Sequence, residues 1–143
     1  MGNSTRRFAL AVAMFAALFA ASASAEDATP LVDAKALVTR QLDAFAHDDA
    51  AAAYALAVPE LKTMFADSDG FMAMVKDKYA PVYRHRSADF GDPVVDGDNV
   101  AISATLVDND NQVWTAVYKL AKQPDGQWLI GGCLLIKSED KAL

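Results

Sequence analysis

Only one cysteine, Cys133, stands among the 143 residues, so no disulfide can close within the chain even in an oxidising compartment. Histidine is nearly as scarce, with His47 and His85 alone. His47-Asp48-Asp49 groups metal-ligating residue types, but one histidine and two adjacent, diverging acids cannot complete a zinc shell. Those acids read instead as caps at a helix junction. The seven glycines sit mostly in turn contexts. None forms G-x-G-x-x-G, a P-loop or G-x-S-x-G, so neither a phosphate-cradling loop nor a nucleophile elbow is present. Positive charge is short as well: 13 Lys and Arg face 19 Asp and Glu. That balance opposes non-specific binding to nucleic acid or anionic lipid, both of which are polyanions.

The N-terminus has the anatomy of an export signal. Arg6 and Arg7 supply a positive start, "FALAVAMFAALFAA" an apolar centre, and Ala23-Ser24-Ala25 a small-x-small cleavage site. The apolar run is too short, and too soon followed by "ASASAED", to act as a stable anchor. "TRRFAL" resembles a twin-arginine signal, but Ala9 stands where that signal prefers a large apolar residue, and the general secretory route fits better. With no cysteine beside the cleavage point, a lipoprotein is not expected. The expectation is cleavage after Ala25, a periplasmic or secreted product, and a single domain over 26–143. Losing Arg6 and Arg7 leaves eleven basic residues against nineteen acidic ones, a net charge of −8.

The first half of the remaining chain is patterned as helix. Thr29 and Pro30 form an N-cap and first-turn pair, with Asp33 placed for the helix dipole. Ala34, Leu37, Val38, Leu42 and Phe45 recur at helical spacing as one apolar stripe to about residue 46. A second helix follows "HDD" and is kinked or divided at Pro59, with Tyr54, Val58, Leu61 and Phe65 still aligned. "DSDG" caps a third, in which Phe71, Val75 and Tyr79 share a face and which Pro81 ends. Beyond Pro81 the period changes to two. The expected strands are "VYRHRSADFG", "NVAISATLV", "VWTAVYKLA" and "QWLIGGCLLIK", joined by "VDGDN", "DNDNQ" and "QPDGQ" turns. Gly131-Gly132 inside the last strand marks a bulge or sharp bend. Three helices before a four-stranded antiparallel meander imply an α+β domain with helices over one sheet face.

The combination of "QLDAF", "PVYR-x-R" and "DG-x-W-x-I-x-GC", with the stretches around it, resembles the DUF4864 family, a bacterial family of unknown function. That family is similar in appearance to the NTF2-like superfamily (SnoaL-like and ketosteroid isomerase-like proteins). The resemblance implies an NTF2-like cone: helices packed into the concave side of a curved antiparallel sheet, with a pocket at the open end. It implies no activity.

Strand alternation over 82–90 would send Val82, Arg84, Arg86, Ala88 and Phe90 to one face, and Tyr83, His85, Ser87 and Asp89 to the other. Arg84 and Arg86 could then jointly grip a carboxylate or phosphate at a pocket mouth. Alternatively they lay their stems over apolar surface and pair with the chain's many acids. Tyr83 and His85 are the neighbouring ligand-binding candidates. Asp43 points toward the polar face of its helix, and Tyr54, Tyr79 and Tyr118 fall in apolar stripes, where their hydroxyls need partners. "DNDNQVW" begins like a calcium loop but lacks its glycine and its terminal glutamate, so it reads as a hairpin tip. Cys133 reads as a buried small hydrophobe rather than a reactive thiol. No carboxylate pair stands out for acid–base work, and nothing calls for a cofactor. The leading expectation is non-catalytic binding of a small anionic ligand or a peptide in the cone. A cone lyase or isomerase using Tyr83 or His85, and a homodimeric interaction module, are the alternatives.

Overall fold

The computed structural model describes residues 25–142, with side chains from Ala34 onward except that of Asp140. The expected export signal therefore lies outside the described residues, apart from Ala25. Among the described residues no helix is long and apolar enough to cross a membrane.

Helix α1 spans Ala25–Ala46. The expected Thr29–Pro30 cap is corrected: α1 starts before that pair, so Pro30 stands in its second turn, where a proline removes one helical hydrogen bond. Its apolar stripe is buried as the spacing requires: Ala34, Leu37, Val38, Leu42 and Phe45 are each at most 5% exposed. Asp48 then takes a left-handed backbone, φ 53°, and reverses the chain. Asp49 caps α2 (Ala50–Ala55), its side chain accepting from the Ala52 amide at 3.0 Å. Pro59 divides the second helix as expected and opens α3 (Pro59–Lys62). The residues between the two pieces dock on the sheet. Val58 donates its amide to the Ile130 carbonyl, and the Ile130 amide donates to Leu56, a one-residue parallel bridge. Asp67 caps α4 (Ser68–Lys78) through the Gly70 amide at 2.9 Å.

The expectation for Pro81 is corrected. Pro81 does not terminate the helical half; it sits in the first turn of a further short helix, α5 (Ala80–Tyr83), where a missing N–H costs nothing. Val82 and Tyr83 are thus helical, and the first strand, β1, runs only over Ser87–Phe90.

The sheet has five strands rather than four. After β1, the segment Gly91-Asp92-Pro93 breaks the edge, and β2 (Val94–Asp96) resumes it. A β-carbon at Gly91 would lie 2.6 Å from the Ser103 hydroxyl, which would have to rotate away to admit one. Both short strands pair antiparallel with β3 (Asn99–Val107), β3 pairs with β4 (Gln112–Lys122), and β4 pairs with β5 (Trp128–Lys141). The sheet is open, in the order β1-β3-β4-β5 with β2 beside β3. Hairpin chemistry follows the sequence: Gly97 and Gly126 adopt φ of 57° and 85°, and Gly126 donates to Gln123 across the β4–β5 turn. Alternation then sorts the faces. Val100, Ile102, Ala104, Leu106, Ala116, Tyr118 and Leu120 are buried against the helices, each large one contributing about 1.5–3 kcal/mol relative to exposure. Phe71 is the aromatic hub of the helical layer, with ring centroids 5.5–6.2 Å from Phe65, Tyr54 and Phe45. The core lies between that layer and the inner sheet face.

Candidate functional site

Arg84, one of the two arginines singled out by sequence, is occupied by the chain itself. As the C-cap of α5, it donates from Nη1 to the Phe45 carbonyl at 2.6 Å and to the Tyr83 carbonyl at 3.0 Å. From Nη2 it donates to the Asp48 carboxylate at 2.9 Å and to the Tyr83 hydroxyl at 3.0 Å. Its guanidinium lies 3.9 Å from the Tyr83 ring centroid, and the Tyr83 hydroxyl also donates to Asp48. The Phe45 carbonyl also accepts from the Asp48 amide at 3.1 Å, and the cation on this terminal carbonyl of α1 answers the negative end of the helix dipole. The cluster thus latches α5 to the end of α1. The hydrogen bond from Tyr83, aided by the Arg84 and Lys76 charges, holds the Asp48 carboxyl below its ordinary 3.8.

Strand alternation does not govern residues 82–86, so the expected division of Arg84 and Arg86 from Tyr83 and His85 is not the arrangement found. Arg84 and Tyr83 belong to one cluster. Arg86 is exposed, its amide starting the pairing with Val107 at 2.7 Å. No described carboxylate reaches its guanidinium. His85 is half-buried, and its Nδ1 is buried without a hydrogen-bond partner. Asp43 is exposed, as its helical angle requires. Asp108 forms the expected hairpin tip: its Oδ1 accepts from the Asp110 and Gln112 amides, and its Oδ2 accepts from the Trp114 indole at 2.8 Å.

A second location gathers polar groups of a different kind. A cavity of about 170 Å³ opens between the helical layer and the inner sheet face. Gln41 and Phe45 of α1, Leu61 of α3, Phe71, Met74 and Val75 of α4, then Tyr79 and Val82, cover it from one side. Tyr118, Ile130, Gly132 and Cys133 form the floor. Among the described residues no charged side chain lines it.

A bulge places Cys133 there. Leu120 faces Ile130, Lys119 faces Gly132 and Tyr118 faces Cys133, so Gly131 is an extra residue without a partner on β4. Simple alternation would put Ile130, Gly132 and Leu134 on the inner face. The inserted residue reverses the phase, and Cys133 and Leu135 turn inward while Leu134 and Ile136 turn out, 62% and 48% exposed.

Each polar group of the cavity has a distinct state. Gln41, 4% exposed, donates to the Ala53 carbonyl at 3.4 Å. Its place on the α1 stripe, four residues after Leu37 and four before Phe45, was the available sequence signal for it. Tyr79 donates to the Cys133 carbonyl at 3.1 Å. Tyr118 differs. It is 1% exposed, and its hydroxyl finds no nitrogen or oxygen partner. Its polar neighbour is the Cys133 thiol, a weak acceptor that leaves the donor largely unspent. Tyr54 donates to the Lys62 carbonyl at 2.8 Å, so of the three core tyrosines Tyr118 alone departs from expectation. Burial, with Cys133 adjacent, pushes the Tyr118 phenol well above its ordinary 10.0. Burial likewise pushes the Cys133 thiol up to about 12, against a small opposing effect of the Tyr118 hydroxyl. Both are neutral at pH 7. Cys133 is half-buried rather than fully enclosed, a thiol on a cavity wall.

Searches of curated proteins and of solved structures return no match. The family model for DUF4864, described as a domain of unknown function, matches residues 28–143, and the chain belongs to that family.

Proposed function

We propose that this DUF4864 chain is an exported, single-domain, NTF2-like protein that binds a small ligand without chemistry, in the cavity beneath its helices. The observation that carries the reading is the uncharged cavity of about 170 Å³ between the helical layer and the sheet, with Gln41, Tyr79 and Tyr118 among its lining residues. Concave, mostly apolar sites with a few convergent polar groups are the usual form of small-molecule sites. Helices over one face of an open antiparallel sheet, with a bulged last strand, support the NTF2-like assignment. The arginines are the weaker location, since Arg84 already makes four hydrogen bonds within the chain. Catalysis is disfavoured by the chemistry of the wall: a phenol and a thiol held neutral are poor bases near pH 7.

Native mass spectrometry of the protein from its own cell envelope tests the reading, beside a Cys133→Phe variant that fills the cavity. The expected result is a small molecule retained by the unaltered chain and absent from the variant. An apoprotein mass for both, with no compound in a ligand panel raising Tm, would remove its support.

A second reading has one specific observation behind it. Leu134 and Ile136, outward on β5, and Val94 on β2 are 62%, 48% and 68% exposed. Exposed aliphatic residues on an open sheet are a surface for self-association, which supports a homodimer of the same ligand-binding unit.

A further inference from the structure

Acids outnumber bases in this chain, 19 to 13, so its cations have carboxylates to choose from, and Arg84 has taken one. Arg40 has not. It is exposed on α1, and among the described residues its guanidinium pairs with no carboxylate and makes no hydrogen bond. Arg40 lines a groove where α1 and the end of α2 meet the β4–β5 hairpin. The rest of that lining is uncharged among the described residues. Leu56 and Leu129 supply apolar wall, Trp128 an aromatic surface and Gln127 a side-chain amide. Arg40 and Gln127 are exposed and the other three half-buried, so a ligand in the groove can touch them all. The side chains of Gln127 and Trp128 also have no hydrogen-bond partner among the described residues. This groove and the cavity beneath the helices have no lining residue in common.

The lining selects a ligand by charge and by surface. A guanidinium presents a fork of N–H donors that matches a carboxylate in two parallel hydrogen bonds. One cation balances one negative charge, whereas a phosphate monoester carries nearly two at neutral pH, and the described lining offers no second cation. Beside Arg40, an indole and two leucines favour a flat apolar body attached to that carboxylate. We infer that the groove is a second ligand site, which takes a small aromatic carboxylate with Arg40 holding its charge. It does not depend on the cavity being a binding site.

Benzoate, its neutral counterpart benzamide, and phenyl phosphate are the probes, titrated into the purified protein and followed by proton–nitrogen NMR. Benzoate is expected to shift the Trp128 indole resonance and the amides of residues 126–129, and to weaken as salt is raised. Benzamide and phenyl phosphate are expected to bind about tenfold more weakly. Arg40→Gln should cost benzoate about tenfold, the loss of one charge-assisted pair, and Arg40→Lys should restore part of it. Arg86→Gln removes the same charge from an exposed arginine outside the groove and should leave affinity unchanged. Both positions are exposed, where substitution leaves folding intact. Equal binding of benzamide or of phenyl phosphate, or an equal loss in Arg86→Gln, would overturn the inference. Shifts confined to Tyr79, Tyr118 and Cys133 would put the probe in the cavity, supporting that reading and overturning this one. No shift at millimolar benzoate would overturn this inference and leave the cavity reading standing.

Discussion

Asp48 and Asp108 are each held by groups that want them ionised. Asp48 accepts from Tyr83 and Arg84. For Asp108 burial opposes the charge, but the Trp114 indole and the Gln112 and Asp110 amides outweigh it and lower the carboxyl below 3.8. A depressed folded value means that the unfolded chain takes up protons first, so stability falls as pH drops through and below 4. Thermal melts between pH 7 and pH 2.5 should show that loss, and the Asp48→Asn, Asp108→Asn double variant should show a shallower one. An equally steep acid limb in the variant would assign the effect elsewhere. The opposite sign holds at the alkaline end. Tyr118 and Cys133 have raised values, so the unfolded chain loses their protons first and stability declines above about pH 9. Of these residues, Asp108 was legible as a turn residue because its amide partners lie two and four positions away. The latch on Asp48 was not, since Arg84 is 36 residues distant.

The bulge at Gly131 decides which side chains of β5 enter the cavity. Deleting Gly131 removes the extra residue and leaves Ile130, Cys133 and Leu135 inward, because Gly132 and Cys133 keep Lys119 and Tyr118 as their partners. Native-state alkylation of Cys133 should then stay close to that of the unaltered chain, and a much faster reaction would mean that the deletion slips the β4–β5 register. Gly131→Ala is the control, because it keeps the extra residue. Its β-carbon would meet the Lys119 carbonyl at 3.6 Å and Val58 methyls at 3.9–4.0 Å, ordinary contacts. Alkylation in that variant should match the unaltered chain as well. The glycine pair was visible in the sequence as an irregularity. Which of the two glycines is the extra residue was not, because only pairing with β4 assigns it.

For the whole molecule, the open sheet leaves Leu134 and Ile136 facing outward beside Val117 and Thr115, their register partners. If this face joins two copies, Leu134→Lys should lower the sedimenting mass to that of a monomer without reducing cavity binding. A monomer in the unaltered protein at tens of micromolar would end the homodimer reading. The helices were legible where periodicity and caps agree, as in α2 and α4; in α1 the apolar stripe was legible but the Thr29–Pro30 start was not where the helix begins. Tyr83, Arg84 and His85 were misread because Val82 to Phe90 alternates plausibly as a strand, whereas Pro81 favours one more turn of helix at its start.

The amino-acid sequence by itself determined the order of helices and strands, the caps Asp49 and Asp67, the hairpin turns and the place where β5 departs from regularity. Those features depend on residues within about one helical turn or across a tight turn, and local sterics and hydrogen bonding decide them. Tertiary structure alone decided that Arg84 latches α5 to α1, that the phase of β5 brings Cys133 opposite Tyr118, and that the Tyr118 hydroxyl has no nitrogen or oxygen to bond. These depend on partners 15 to 39 residues away, whose meeting is set by sheet register and helix docking.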